Sequence, residues 1–307
     1  MLSVIIPLLN EEPNILPLYR ELSDALAQLG LEYELIFVDD GSTDGSFSVL
    51  EKLHKGDERV KVIQFRRNFG KSAALAAGFK RARGEVVITM DADLQDDPAE
   101  IPRFLEEIDR GYDMVCGWRC PRRDPWTKKV PSKIFNFLTS LLSGVKLHDF
   151  NCGLKAYRRE VVEDLELYGE LHRYIPLIAY QRGYSIGEIK VKHRPRIAGR
   201  SKYGLGRLSR GFFDLFTVLF LTQYFERPLH LFGWIGIAAF CVGFVINLYL
   251  TILWFMGYRP IGNRPLLTLG VLLIVVGVQF FSLGFLADMV VRTSARRPGY
   301  TIKRELK

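Results

Sequence analysis

The sequence contains little cysteine, and no two of its cysteines form a CxxC motif. Its 307 residues include four cysteines, Cys116, Cys120, Cys152 and Cys241. Cysteines so few and so far apart lack the CxxC…CxxC pattern and do not form a disulfide framework. A disulfide-stabilised scaffold is therefore excluded, and Cys116 and Cys120 are expected to be reduced thiols.

The chain also lacks the composition of a disordered or an acidic protein. Hydrophobic residues make up 48% of it, and 42 Lys and Arg against 34 Asp and Glu leave a net charge of +8. A disordered chain is poor in apolar residues, so this chain is expected to fold. Its length is enough for one soluble domain and a smaller second part.

Two long stretches near the C-terminus are almost free of charge. No Asp, Glu, Lys or Arg occurs from Leu229 to Tyr258, and a second apolar run extends from Pro265 to Ala287. About 20 apolar helical residues cross the hydrocarbon core of a bilayer, and both runs are longer. Two buried core helices are the alternative, but such helices rarely stay uncharged for so long. We expect an integral membrane protein with a soluble head.

Basic residues indicate which side of the membrane the head occupies. The connector between the two runs offers only Arg259 and Arg264. Many more flank the runs on their outer sides: Arg200, Lys202, Arg207, Arg210 and Arg227 before the first, and Arg292, Arg296, Arg297, Lys303, Arg304 and Lys307 after the second. The positive-inside rule then predicts that both termini are cytoplasmic. The apolar start of the chain ends by Asn10 and has no basic residue before it, so a signal peptide is not expected.

The head alternates short apolar strands with amphipathic helices. This β-α order predicts an α/β fold with a mainly parallel sheet and helices on both faces. In such sheets ligands bind beyond the carboxyl ends of the strands. The predicted strands are Leu2–Pro7, Tyr33–Val38, Val60–Phe65, Glu85–Met90 and Asp113–Gly117.

Polar clusters follow three of these strands directly. They are Asn10-Glu11, Asp39-Asp40 and the pair Asp91 and Asp93. Carboxylates collected at one sheet edge repel one another unless a cation or a ligand rich in hydrogen-bond donors is present. An Asp-x-Asp at a strand end suits Mg²⁺, which uses one or two carboxylates and takes phosphate oxygens as further ligands. The clusters predict a divalent cation and a phosphate-bearing ligand at this edge.

Three motifs carry a resemblance to a known family. Ser3–Glu12, Val38–Asp44 and Met90–Pro98 resemble the signature of the family 2 inverting glycosyltransferases. More narrowly, the chain is similar to the polyprenyl-phosphate glycosyltransferases, which include dolichol-phosphate mannose synthase and bacterial membrane-anchored glucosyl and aminoarabinosyl relatives. The resemblance implies a GT-A fold and inverting transfer of a sugar from a nucleotide diphosphate sugar to polyprenyl phosphate with Mg²⁺ or Mn²⁺. UDP-glucose is the sugar donor we expect, with GDP-mannose and UDP-amino sugars as alternatives.

The resemblance also implies which residues hold the sugar donor. Leu9 stands where relatives often carry Tyr, and Lys71 begins a predicted helix at a place suited to a phosphate. Asp91 and Asp93 are implied as catalytic and metal-binding residues, with Gln95 beside them on the metal. The nucleotide-sugar residues are Pro7, Leu9, Glu11, Val38, Asp39, Asp40, Lys71, Asp91, Ala92 and Asp93.

The acceptor phosphate is assigned to basic loops on the same grounds. The residues are Arg119, Lys129, Ser132, Arg196 and Lys202. The alternative is that these charges are only attracted to anionic lipid headgroups.

Many inverting transferases place a base near Asp149. A phosphate acceptor has a second pKa of about 6 and is already largely dianionic at neutral pH, so Asp149 acts either as a base or by orienting the acceptor or a neighbouring Arg.

The expected organisation has four parts. Residues 1–204 form the catalytic domain, 205–227 an interfacial amphipathic helix, 228–291 two transmembrane helices, and 292–307 a basic cytoplasmic tail.

A homo-oligomer is left open, and no nucleic-acid partner is expected because the positive charge lies beside the apolar runs. A processive polysaccharide synthase is less favoured, since Gln181-Arg182-Gly183 does not match the Gln-x-x-Arg-Trp motif of that class. A non-catalytic membrane scaffold is a further alternative, which the intact Asp91-x-Asp93 argues against.

Overall fold

β-α repeats build the N-terminal part of the chain. The computed structural model describes residues 1–120, 140, 145–165, 167, 171–194, 228–258 and 264–293. These residues belong to two compact units, one within Met1–Phe216 and one within Thr217–Tyr300. The strands of the first unit are β1 (Leu2–Leu8), β2 (Tyr33–Asp39), β3 (Val60–Gln64), β4 (Val86–Thr89), β5 (Met114–Arg119), β6 (Lys155–Arg158) and β7 (Ile186–Val191). Its helices are α1 (Glu12–Ala27), α2 (Ser46–Gly56), α3 (Lys71–Phe79), α4 (Ile101–Asp109), α5 (Arg159–Asp164) and α6 (Ile175–Gln181).

One sheet contains all seven described strands, in the order β3-β2-β1-β4-β6-β5-β7. Strands β3, β2, β1 and β4 run parallel to one another, and β7 runs parallel to β5. This confirms the predicted α/β fold with a mainly parallel sheet. The strand β6 lies between β4 and β5 and is antiparallel to both. This strand is not among the predicted ones, because Lys155–Arg158 is short and carries two charged residues.

The core lies between the sheet and the helices packed on its two faces. Helix α1 buries Ile15, Leu18, Leu22 and Leu26 on one side, at the spacing that places residues on one helical face. Helix α3 packs on the opposite face. There a β-carbon on Gly78 would lie 2.5 Å from a methyl carbon of Ile5, so the helix approaches β1 closely only because this residue is glycine.

The buried carboxylate of Glu34 connects several segments at the edge of the sheet where the parallel strands begin. Glu34 accepts hydrogen bonds from the Ser3 hydroxyl at 2.6 Å and the Arg83 backbone N–H at 2.7 Å, and it forms an ion pair with Lys61. The Ser3 hydroxyl in turn accepts from the Gly84 N–H at 2.8 Å. Burial alone would raise the pKa of Glu34, but its bonds to Lys61 and Ser3 lower it overall. This network lies at the end of the sheet opposite to the predicted site.

The second unit contains two long apolar helices, α7 (Pro228–Phe255) and α8 (Pro265–Thr293). Both are long and apolar enough to cross a bilayer, as predicted. Only 17% and 11% of their most apolar 18-residue segments are buried, whereas a core helix of a soluble domain is mostly buried. Close packing occurs at facing glycines, where a β-carbon on Gly236 would lie 2.7 Å from the carbonyl oxygen of Gly277. Small residues at such crossings let two membrane helices approach each other.

Candidate functional site

The loops after β1 and β2 are joined at the carboxyl edge of the sheet. The Asn10 side-chain oxygen accepts from the Thr43 N–H at 2.7 Å, and the Asn10 N–H donates to the Ser42 hydroxyl at 2.8 Å. The Glu11 N–H donates to the Ser46 hydroxyl at 3.0 Å. Two of the three predicted polar clusters therefore lie side by side, as the rule for parallel sheets requires.

Asp39 and Asp40 hold the neighbouring loops. One oxygen of Asp39 accepts from the Ser42 N–H at 2.9 Å. Both oxygens of Asp40 are used by the loop before α3, accepting from the Phe69 N–H at 2.7 Å and the Gly70 N–H at 2.9 Å. Burial raises the pKa of Asp40 even though these amides bond to it. In the structure Asp40 thus holds the backbone of the loop that leads into α3. The resemblance implied a contact of Asp40 with the nucleotide and not this one.

Lys71 and Asp91 form an ion pair across this edge. Lys71 is the first residue of α3, directly after Gly70, whose φ of 92° favours glycine. Asp91 follows β4, and the Lys71 ammonium donates to one of its carboxylate oxygens. Burial raises the pKa of Asp91, but the charges of Lys71 and Arg119 lower it overall, so Asp91 is ionised at neutral pH. The structure therefore brings a predicted phosphate ligand and a predicted metal ligand into direct contact.

The backbone after Asp91 turns sharply. Leu94 has φ 59°, in the left-handed region that non-glycine residues seldom adopt, and its side chain is buried. Such a conformation costs of order 1–3 kcal/mol and is found at functional turns. Within this turn the Gln95 N–H donates to Asp93 at 3.2 Å, and the Gln95 side-chain amide donates to the Arg194 carbonyl at 3.3 Å.

Asp96 is a third carboxyl in the same turn. It is buried, and burial together with the charge of Asp91 raises its pKa to about 7. Asp96 is therefore easier to protonate than Asp91, whose pKa is lowered. The Asp-rich segment therefore contains two carboxylates suited to a cation, Asp91 and Asp93, and a third carboxyl whose burial favours the neutral form.

Asp91 and Asp93 fit a divalent cation that takes its remaining ligands from a bound substrate. Two carboxylates are a usual protein contribution to Mg²⁺, with water and phosphate oxygens completing the shell. Within the described ranges, no group of three His, Cys, Asp or Glu side chains converges as a ready-made metal cage. A cation held by Asp91 and Asp93 would accordingly need oxygens from a ligand such as a diphosphate.

The segment before β6 forms the floor of the site. Strand β6 pairs with β4 so that Lys155 lies opposite Thr89, and continuing this register by two residues places Gly153 opposite Asp91. The Thr89 hydroxyl donates to the Gly153 carbonyl at 2.9 Å. A β-carbon on Gly153 would lie 2.6 Å from the carboxyl carbon of Asp91. Only glycine leaves room for the Asp91 side chain at this point.

A buried lysine lies beneath these carboxylates. The Lys155 ammonium donates to the Phe150 carbonyl at 3.2 Å and is almost fully enclosed. Burial lowers its pKa, and the positive charge of Lys71 lowers it further. The charge of Lys155 in turn contributes to the lowered pKa of Asp91. The charges of Lys71, Arg119 and Lys155 thus all favour the ionised form of Asp91.

Arg119 and Asp149 form a buried two-point ion pair. The Nε and Nη2 atoms of Arg119 donate to the two carboxylate oxygens of Asp149 at 2.7 and 3.0 Å. The exposed fractions of the side chains are 14% for Arg119 and 3% for Asp149. Burial lowers the pKa of Arg119, but the charge of Asp149 outweighs it and raises the pKa overall. Of the two roles left open for Asp149, the one that orients a neighbouring Arg matches this geometry.

The other predicted residues are placed as follows. Pro7 and Val38 are register partners on β1 and β2, Leu9 follows β1, and Ala92 is buried between Asp91 and Asp93. The predicted acceptor residues Lys129, Ser132, Arg196 and Lys202 lie outside the described residues, as do the predicted interfacial helix 205–227 and most of the tail 292–307. All four cysteines are free, and burial raises the pKa of the Cys116 thiol to about 12.

Sequence reasoning missed Gly153 and Lys155. Both lie in the run Asn151-Cys152-Gly153-Leu154-Lys155, shortly after the predicted site residue Asp149. No local pattern in this run marks the two residues, because their places in the site depend on the pairing of β6 with β4.

A mainly parallel sheet with carboxylates and cations gathered at its carboxyl edge is the arrangement expected of an α/β enzyme of the GT-A fold. The chain belongs to glycosyl transferase family 2, whose model matches residues 3–166. The resemblance carried by the three motifs is thereby confirmed. The match ends before β7, so the last strand of the sheet and both apolar helices lie beyond it.

Two curated relatives match nearly the full length of the chain. Dodecaprenyl-phosphate galacturonate synthase from Rhizobium johnstonii is 40% identical over 313 residues, covering 98% of this chain and 92% of the relative. Undecaprenyl-phosphate 4-deoxy-4-formamido-L-arabinose transferase from Pseudomonas aeruginosa is 37% identical over 309 residues, covering 99% and 90%. Both relatives are named for a polyprenyl phosphate, and they differ in the sugar. Neither is named for glucose.

Solved structures share the fold at lower identity. Glucosyl-3-phosphoglycerate synthase from Mycobacterium tuberculosis superposes with a TM-score of 0.56 at 20% identity, over 72% of this chain and 80% of that chain. A second structure of that enzyme, in complex with Mn²⁺, UDP-glucose and glycerol 3-phosphate, has a TM-score of 0.55 at 20% identity and covers 71% of this chain and 79% of that chain. At this identity the likeness establishes the fold.

Proposed function

We propose that this glycosyltransferase transfers a sugar from a nucleotide diphosphate sugar to a polyprenyl phosphate at a membrane surface. The observation that carries the proposal is the near full-length similarity to two relatives that share this class of acceptor and differ in the sugar. The similarity extends beyond the family domain and includes the two apolar helices, which would hold the enzyme where such an acceptor resides.

The sugar donor is assigned to the edge formed by Asp91, Asp93 and Lys71. Asp91 and Asp93 would hold Mg²⁺ or Mn²⁺, which neutralises the departing diphosphate. Lys71 sits at the start of α3, where backbone N–H groups and the helix dipole also favour an anion. In the structure its ammonium is occupied by Asp91, so Lys71 exchanges this partner for a phosphate oxygen when the sugar donor binds.

Arg119 is the described residue assigned to the acceptor phosphate. The ion pair with Asp149 uses the Nε and Nη2 edge of the guanidinium, and the Nη1 atom carries two further N–H groups. Both oxygens of Asp149 are bonded to Arg119, which supports an orienting role over that of a general base. A phosphate with a second pKa of about 6 needs no base to become a nucleophile at neutral pH. A phosphate oxygen attacks the anomeric carbon as the bond from that carbon to the nucleotide diphosphate breaks, and this single displacement inverts the configuration there.

The sugar is the part of the proposal that departs from the first expectation. Glucose was expected, but the two relatives are named for galacturonate and for a formamido-arabinose. We therefore assign a uronic acid or an aminated pentose as the transferred sugar.

The proposed layout places both termini and the catalytic head in the cytoplasm, where nucleotide sugars are made. It retains the division into 1–204, 205–227, 228–291 and 292–307. A reagent that does not cross membranes tests the layout. It should label a tag after Lys307 only from the cytoplasmic side and a cysteine at Gly262 only from the opposite side. The reversed labelling pattern contradicts it.

A panel of sugar donors tests the proposed reaction. Purified protein is incubated with undecaprenyl phosphate, Mg²⁺ and UDP-galacturonate, UDP-4-amino-4-deoxy-arabinose, its formamido derivative, UDP-glucose or GDP-mannose in turn. Mass spectrometry of the lipid fraction should show one glycolipid with a uronic acid or an aminated pentose. Glycolipid formed only from UDP-glucose or GDP-mannose overturns the sugar assignment, and the absence of any glycolipid overturns the proposed function.

A further inference from the structure

Glu188 lies on β7 and reaches across to the loop that carries Asp149. Strand β7 pairs with β5 so that Glu188 lies opposite Cys116. On its other side Cys116 lies opposite Lys155 of β6. One oxygen of Glu188 accepts from the backbone N–H groups of His148 and Asp149, at 2.8 and 3.1 Å. The other oxygen is 2.7 Å from the Nδ1 atom of His148. One carboxylate therefore takes three hydrogen bonds from two consecutive residues.

The same loop is clamped from a second side by an aromatic stack. The His148 imidazole lies on the Trp118 indole with ring centroids 4.0 Å apart and ring planes inclined by 12°. The Lys190 ammonium is 5.0 Å from the centroid of the Trp118 ring. Because Trp118 directly precedes Arg119 on β5, the stack connects the His148 loop to the strand that presents Arg119.

Asp149 connects the restrained His148 loop to the Arg119 side chain. Its backbone N–H is held by Glu188, one of its carboxylate oxygens accepts from the Asn151 N–H at 3.1 Å, and both oxygens bond to Arg119. A carboxylate so restrained has one orientation, and a guanidinium bonded to it at two points is held in one plane. The chain of contacts thus runs from Glu188 through Asp149 to Arg119.

We infer that Glu188 is a positioning residue for acceptor binding, which acts by fixing the His148–Asp149 turn and through it the Arg119 guanidinium. The inference rests on the proposed function, because it takes the polyprenyl phosphate as the ligand of Arg119. Glu188 lies outside the part of the chain that the family model matches, so this role belongs to the strand added after the family domain.

Kinetics of the full-length enzyme in detergent test the inference. Glu188→Ala should raise the apparent KM for undecaprenyl phosphate by about 10-fold, because Arg119 loses its fixed orientation, and should change the KM for the sugar donor by less than about twofold. Glu188→Gln should give a smaller rise in the same constant, since its side-chain oxygen still accepts from backbone N–H groups while its NH₂ group accepts nothing from His148. The glutamine variant decides the test if the alanine variant does not fold.

Two comparisons separate positioning from a general loss of stability. Glu34→Gln removes another buried carboxylate that holds backbone and side-chain donors, but at the opposite edge of the sheet. It should lower the melting temperature and leave both KM values unchanged. In an Asp149→Asn background, Glu188→Ala should raise the acceptor KM by less than about twofold further, because its effect passes through Asp149.

The outcomes distinguish this inference from the proposed function. An active wild type in which Glu188→Ala and Glu188→Gln affect both KM values equally, or only the melting temperature, overturns the positioning role and leaves the proposed function intact. A wild type that forms no glycolipid overturns the proposed function. Amide hydrogen exchange then tests the contact directly, since exchange at residues 148–151 should be faster in Glu188→Ala, and unchanged exchange contradicts the role.

Discussion

Gly153 and Asp91 lie opposite each other just beyond the paired ends of β6 and β4, with no space for a side chain on the glycine. A β-carbon at Gly153 would lie within 2.8 Å of all three carboxyl atoms of Asp91. The short Asp91 side chain must therefore rotate away in Gly153→Ala and leave its ion pair with Lys71. We expect the variant to fold and to lose at least about 10-fold in turnover, with more metal required for half-maximal rate.

Gly56→Ala is the matched control for this substitution. Gly56 ends α2, and a β-carbon there would meet nothing within 4 Å. Its turnover and metal requirement should equal those of the wild type. A wild-type metal requirement in Gly153→Ala would show that the position of Asp91 over Gly153 is unimportant for the reaction.

Lys71 is expected to serve the sugar donor. Lys71→Met removes the ammonium that bonds Asp91 here and that would meet the diphosphate in the loaded enzyme. The apparent KM for the nucleotide sugar should rise by about 10-fold, corresponding to about 1.4 kcal/mol, and the KM for polyprenyl phosphate should stay within about twofold. Initial rates at varied concentrations of each substrate measure both constants. An effect confined to the lipid constant would move Lys71 to the acceptor side.

Arg119 is expected to serve the acceptor through its fork of N–H groups. Charge-assisted bonds to phosphate are worth about 1.5–3 kcal/mol, so Arg119→Ala should raise the KM for polyprenyl phosphate by roughly 10- to 150-fold. Arg119→Lys should recover only part of this loss, because an ammonium cannot bond Asp149 at two points and still present a planar fork. Full activity in Arg119→Lys would mean that only the positive charge matters.

Glu34 provides a test of stability against pH. Its pKa is lowered below the ordinary value of 4.5 in the folded chain. A lowered pKa means that the stabilisation is present above the unfolded-state pKa and is lost as the pH falls through the folded-state value. Glu34→Gln should therefore be less stable than the wild type by about 1–3 kcal/mol at pH 7, and the difference should shrink below about pH 4.5. Melting curves of both proteins from pH 7 to pH 3 measure it, and a difference independent of pH contradicts the ionic role.

The parts of the site that follow strands could be predicted from the sequence. Asp40, Asp91 and Asp93 come directly after buried strands, and parallel strands bring such residues to one edge. Lys71 could be assigned to the same edge because it stands at the start of a helix, directly after a glycine. These inferences need only local pattern and one topological rule.

The remainder depends on contacts between segments far apart in the chain. The antiparallel insertion of β6 brings Gly153 beneath Asp91 across 62 positions of sequence, and no local pattern announces it. Glu188 bonds Asp149 from 39 positions away. A lone glutamate in an exposed-looking strand resembles any solvated residue until the sheet order is known. The sugar likewise depended on relatives, because its hydroxyl groups are recognised by loop geometry.

The most direct test compares two acceptors that differ only in the phosphate. Purified enzyme with Mg²⁺ and its sugar donor is incubated with undecaprenyl phosphate or with undecaprenol, and the glycolipid is quantified by mass spectrometry. Product should form only from the phosphate, should disappear with excess EDTA, and should fall by at least about 100-fold in Asp93→Asn without loss of folding. Equal transfer to undecaprenol, or an undiminished rate in Asp93→Asn or in EDTA, would contradict metal-assisted transfer to a polyprenyl phosphate.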